Sequence, residues 1–313
     1  MVFFARVLLL ARFGGSAFFG DRQPDVAYCV HGLVRGFTSI DYQQSLKTMV
    51  INAVGGGRRD VYFFLKLPPG ARIISPEFAS LNATLDQFVP KPARVVFQYQ
   101  DLDKERRAQQ LEGVNVTTCS LPRSNWHFYI TIAYQWLDMR DCYREIQEVE
   151  KERGRKYDLV AKLRPDIEFC QPWPRYDTFN WTHYAQENMI ATPALPGLKG
   201  RPMLVDYAAL MLRAQAHIYF NAYKQLRACT PHEQFWRHCN GYMGNECYLS
   251  TYLAINNISF DHGRKPGFGH LDYCFWRNPE YATVTGPSHT GHCSCQQPRV
   301  GNNSVTVNTH LGR

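Results

Sequence analysis

No stretch of this 313-residue chain carries a dense Lys/Arg block or a basic helix, which sets nucleic acid aside as a partner. No apolar run approaches the roughly 20 residues needed to cross a bilayer. The phosphate-loop pattern GxxxxGK[ST] and the dinucleotide pattern GxGxxG are both missing, and so is any long low-complexity tract that would mark disorder. Acidic residues are absent before Asp21, and the apolar core between Arg6 and Arg12 is only five residues long. Residues 1–23 therefore read as a signal or signal-anchor-like segment outside the fold, able to attach the chain to a membrane where it is retained.

What is present fits a globular protein. Hydrophobic residues make up 45% and aromatic residues 14%, and a chain of this length can bury one large core or two modest ones. The net charge of +8, from 35 basic and 27 acidic residues, is diffuse and suits an anionic ligand such as a nucleotide. Ten cysteines, crowded towards the C-terminal third, imply disulfides and an oxidising compartment. Glycosylation sequons at Asn82, Asn115, Asn180, Asn257 and Asn302 agree with the secretory pathway, in the Golgi or ER lumen. His289, His292, Cys293 and Cys295 cluster without the spacing of a standard zinc finger.

Along the chain, apolar strand-like runs alternate with helical periodicity. Val26–Val30 gives a first strand that breaks at His31-Gly32 into a loop carrying Arg35, followed by a helix from Ser39 to Ile51. Val61–Leu67 and Arg94–Tyr99 are further strands, with a helix over Pro76–Phe88 between them. Tyr129, Ile132, Trp136, Met139, Tyr143, Ile146 and Val149 recur at spacings of three and four, the stripe of a long helix that ends at Gly154. That helix leads into YDLVAKLRPDIEF, Tyr157–Phe169, a buried strand halted by Pro165. Met189–Thr192 is a short strand. Val205-Asp206-Tyr207-Ala208 leads into a helix reaching Leu226. Asn245–Ala254 is helical, and Ile258–Phe260 is a last strand before a Gly-, Pro- and Cys-rich tail. The alternation predicts an α/β fold: a mostly parallel central sheet with helices on both faces and a loop-rich, disulfide-stapled C-terminal part.

Ligands of such sheets bind at the carboxyl ends of the strands. There Gly32 and Arg35 share an edge with Arg164, Asp166 and Glu168. In an extended chain the two carboxylates at i and i+2 point the same way and suit a hard divalent cation. Composition alone predicts about two such acid-x-acid pairs. Asp101 with Asp103, after another strand, is the rival.

In this order the motifs resemble a nucleotide-sugar glycosyltransferase of the GT-A type, nearest to the glycosyltransferase-like families of plants, algae and large viruses. The resemblance runs from Val26 to Phe260. It is carried by Gly32-Leu33-Val34-Arg35, by YDLVAKLRPD, by VDYAAL around Asp206 and by NECYLSTYLAINNISF. It implies one domain over residues 24–313, with a nucleotide-binding half (24–170) and an acceptor half (171–313). It also implies sugar transfer from a nucleoside-diphosphate sugar to an acceptor hydroxyl on a glycan or glycoprotein, assisted by Mn²⁺ or Mg²⁺. By carry-over, Asp166 and Glu168 hold metal, Gly32, Arg35, Arg164 and Asp166 face the nucleotide, and Asp206 or Glu246 is the catalytic base. A sulfotransferase and a catalytically silent carbohydrate-binding protein of the same fold are the alternatives.

Overall fold

Among the described residues, eleven short stretches of β-prone or apolar sequence pair into sheets, and the largest sheet carries the architecture. The computed structural model describes residues 16–34, 37, 40–67, 76–99, 126–195, 203–204, 206–224, 245–261 and 273–275. In chain order these are α1 (Ser16–Phe19), β1 (Val26–Leu33), α2 (Ile40–Ser45, continuing in wider π-type turns over Leu46–Asn52) and β2 (Arg59–Leu67). Next come α3 (Pro76–Gln87), β3 (Arg94–Tyr99), α4 (Trp126–Arg153), β4 (Leu159–Leu163) and β5 (Ile167–Phe169). Then follow α5 (Trp181–Gln186), β6 (Met189–Ala191), β7 (Ala194–Leu195), β8 (Met203–Leu204) and β9 (Ala208–Leu212). The last are α6 (Arg213–Tyr219), α7 (Asn245–Ile255), β10 (Ser259–Asp261) and β11 (Tyr273–Phe275).

Seven strands form the main sheet in the order β10-β6-β9-β4-β1-β2-β3. All neighbours run parallel except β9, which is antiparallel to both β4 and β6. The central parallel strands β1, β2 and β4 are buried on both faces, so alternate residues feed two cores. Val26, Tyr28 and Val30 of β1 join a core with α2, α3 and the aromatic cluster Trp173, Tyr176, Phe179, Trp181 and Tyr184. Ala27 and Cys29 face the other core, built from α4, α6 and α7. Cys29 is disulfide-bonded to Cys142 of α4, and none of the described cysteines is free. The expected α/β architecture with helices on both faces is therefore present. The two expected halves share one sheet, since β6, β9 and β10 lie beyond residue 170.

Two readings of the sequence change. Ala208–Leu212 is a strand, not the start of a helix. Its AALML sequence has good helix propensity, but all five residues are buried inside the sheet between β4 and β6, and that context overrides local preference. The helix begins only at Arg213. The boundary at residue 23 also moves. Phe19 is buried in the aromatic cluster, 6.3 Å from the Tyr176 ring and 6.1 Å from the Trp181 ring. Arg22 makes two hydrogen bonds to Asp158, of 2.5 and 2.6 Å. Residues 16–23 thus belong to the fold. Among the described residues no helix is long and apolar enough to cross a membrane.

The packing of Phe19 gives a direct check. Phe19→Ala should lower unfolding free energy by about 3 kcal/mol, the low end for a buried Phe truncated near the chain's edge. Urea denaturation would read this as a lower midpoint at unchanged slope. A midpoint equal to that of the parent would mean the segment is not part of the fold.

Candidate functional site

The strand order β3-β2-β1-β4 contains a reversal. The helices that follow β1 and β2 lie on one face and the helix that precedes β4 lies on the other. Such a switch point opens a crevice at the carboxyl ends of the strands. Here the α4-facing side of three strands turns from apolar to polar as each ends. On β1, Ala27 and Cys29 give way to His31. On β2, Tyr62 and Phe64 give way to Lys66. On β4, Val160 gives way to Lys162, with Arg164 just beyond. Register aligns these ends, with Leu33 opposite Lys66 and Cys29 opposite Lys162. Residues of α4 cover them, Tyr134, Gln135, Asp138 and Met139, with Asp206 and Asn245 closing the side. The result is a cleft of about 290 Å³.

Charge inside the cleft is paired with care. Lys66 Nζ lies 2.5 Å from Asp138 Oδ2, both side chains nearly buried. Arg164 donates twice to Asp166, from Nε to Oδ1 at 2.8 Å and from the guanidinium tip to Oδ2 at 2.6 Å. Its other terminal nitrogen lies 3.5 Å from Asp206 Oδ2. Asn245 Nδ2 donates to that same Asp206 oxygen at 2.7 Å and to Gln135 Oε1 at 2.7 Å, while its Oδ1 accepts from the Trp136 indole at 2.8 Å. Burial works against ionisation of Asp206, yet Arg164, Lys162 and the Asn245 amide together hold its carboxyl below the ordinary value. Glu246, in the first turn of α7, is pushed the other way, by burial and then by the charge of Asp206.

Lys162 is different. It is 2% exposed, lines the cleft, and among the described residues has neither an ion pair nor a hydrogen bond. Burial lowers its ammonium to about 8, a fall that the neighbouring charge of Asp206 only partly offsets.

Of the residues singled out from the sequence, Gly32, Arg164, Asp166 and Asp206 line this one cleft, and Glu246 stands close enough to feel Arg164 and Lys162. Arg35 and the rival pair Asp101 and Asp103 lie outside the described residues. His31 is not a loop residue but part of β1, which runs to Leu33. Gly32 has φ +137°, and a Cβ there would meet Pro165 Cδ at 3.1 Å. Its smallness serves the approach of β1 to the turn after β4. The extended Asp166-x-Glu168 geometry does not form. Pro165 and Asp166 make a turn, and Glu168 lies beyond it on β5, which pairs with β11 away from the cleft lining. Lys66, Lys162, Asp138 and Asn245 were missed. The detectable signal was a lysine inside each of two otherwise apolar strand runs.

Neither a protein-family model nor a curated protein matches the chain.

Lys162 makes a pH-dependent prediction. A lysine whose folded value falls to about 8 from 10.5 costs stability wherever it is charged in both states, fully below about pH 8. That cost fades as pH rises towards 10.5. Lys162→Met should therefore stabilise the protein by on the order of 3 kcal/mol at pH 7 and by less than half of that at pH 9.5. Denaturant midpoints at the two values test this, and a gain independent of pH, or a loss, would refute it.

Proposed function

We propose that the cleft binds a nucleoside-diphosphate sugar and that the protein is a glycosyltransferase acting on an acceptor hydroxyl of a glycan or glycoprotein. The observation that supports this best is the buried ammonium of Lys162, set between the ion-paired Lys66 and Arg164 at the carboxyl ends of adjacent strands, at the switch point of the sheet. A ligand held there is anionic, and a diphosphate spans the reach of several strand ends.

The residues expected to hold a divalent cation do not suit one in this arrangement. Both oxygens of Asp166 accept from Arg164, and Glu168 is turned onto another sheet. Among the described residues no group of three or more His, Cys, Asp or Glu side chains is arranged around a common point. Asp206, held ionised, suits a hydrogen bond to a sugar or ribose hydroxyl. Glu246, with its raised carboxyl, is the better proton acceptor near neutral pH and takes the proton of the acceptor hydroxyl. A secretory location accords with the Cys29–Cys142 bond and with the exposure of the sequon residues Asn82, Asn180 and Asn257.

A donor screen tests the reading. Uridine, guanosine, adenosine and thymidine diphosphate sugars would be assayed for hydrolysis and for a shift in melting temperature, with Mn²⁺ and with EDTA, and an adenosine bisphosphate for the thermal shift alone. One donor should be hydrolysed slowly. Glu246→Gln should lower kcat by roughly 10²–10⁴-fold with KM little changed. Absence of both hydrolysis and thermal shift for every donor would sink it, and a shift with an adenosine bisphosphate alone would point to sulfotransfer. Binding of a donor without turnover would mark a binding protein.

A further inference from the structure

The cleft contains three basic side chains, and two of them are neutralised within it. Lys66 faces Asp138, and Arg164 faces Asp166 and Asp206. Lys162 sits between these pairs on β4, almost fully buried, and among the described residues the carboxylates of Asp206, Asp166 and Glu246 act on it only from beyond ion-pair distance. An isolated buried ammonium is strongly unfavourable unless something pairs with it. The surrounding residues had the means to supply that partner, since each of the other two cations has a carboxylate at 2.5–2.6 Å. The place beside Lys162 therefore suits an anion that arrives from outside.

We infer that Lys162 is the anion receptor of the cleft and takes the charge-neutralising place that a divalent cation was expected to fill. The identity of the anion, a diphosphate, rests on the nucleotide-sugar reading, while the existence of the anion site does not. In the transfer step the bond between the sugar C1 and the β-phosphate oxygen breaks, and its electron pair stays on that oxygen. The acceptor oxygen forms the new bond to C1, and its proton passes to Glu246. One unit of negative charge thus appears on the leaving diphosphate, and the ammonium of Lys162 faces it. Arg164 lies two residues further along the same strand direction and completes a cationic edge, but its own charge is already committed to Asp166 and Asp206. A fixed cation of this kind stabilises a developing charge without reorganisation.

The inference predicts an unusual combination. A residue kept only for structure should destabilise the protein when replaced, whereas Lys162→Met should raise the melting temperature and weaken ligand binding together. Calorimetric titration of the full chain with pyrophosphate, and with uridine and guanosine diphosphates, would be run in EDTA and in Mn²⁺. Binding should persist in EDTA. Lys162→Met should weaken it by roughly 10- to 100-fold, the effect of one charge-assisted hydrogen bond, and Lys162→Arg should restore most of it. Binding that appears only with Mn²⁺, or that is unchanged in Lys162→Met, overturns the inference even where donor sugars are turned over. Pyrophosphate bound through Lys162 while no donor is turned over supports the anion site and removes glycosyl transfer. Absence of binding to pyrophosphate and to both nucleotides overturns the anion site itself.

Discussion

The twofold hydrogen bond between Arg164 and Asp166 holds the candidate site in shape. It spans the Pro165 turn, so it closes the end of β4 back on itself at the point where the main sheet stops. The same guanidinium reaches Asp206, which precedes β9, the antiparallel neighbour of β4. One side chain thus ties the strand, its turn and the adjacent strand's entry. The close approach of β1 depends on that turn as well, because Gly32 leaves just enough room for Pro165. Breaking a buried pair of this kind costs about 3–5 kcal/mol in comparable settings.

From Asp206 the network runs into the helical layer. Asn245, the first residue of α7, bonds to Asp206, to Gln135 and to the Trp136 indole, so α4 and α7 are held to the sheet by a polar contact set within an apolar core. An amide placed this way fixes relative position more than it adds stability, since each neutral hydrogen bond contributes only about 1 kcal/mol net. These hydrogen bonds cross-link the floor and side wall of the cleft. Among the described residues, the ammonium of Lys162 makes no ion pair in that setting.

Much of the frame was legible in the sequence, because period and punctuation carry it. Arg94–Tyr99 and the long helix ending at Gly154 lie where their patterns put them, and Gly154 has the left-handed φ of +65° that a helix stop uses. AALML was not legible as a strand, since a fully buried strand and a buried helix turn share the same composition. The partition at residue 23 failed because charge and hydropathy mark a leader-like segment but cannot show that Phe19 and Arg22 have partners at Tyr176, Trp181 and Asp158. The site was half legible. Asp166 and Asp206 were found from motif position, but the supposed pairing of Asp166 with Glu168 assumed an extended chain where Pro165 imposes a turn.

Lys66 and Lys162 show why the other half was hidden. Each is a single lysine in a strand of buried residues, and nothing local separates them. Their difference is a partner on another element: Asp138 on α4 meets Lys66, while no carboxylate comes within ion-pair reach of Lys162 among the described residues. A paired buried lysine stabilises a particular arrangement of strand and helix. A buried lysine without a partner opposes folding, which makes it a candidate for a binding or catalytic role. The distinction is a property of the tertiary structure, and it moves attention in this cleft from the acidic pair to the lysine four residues before Asp166.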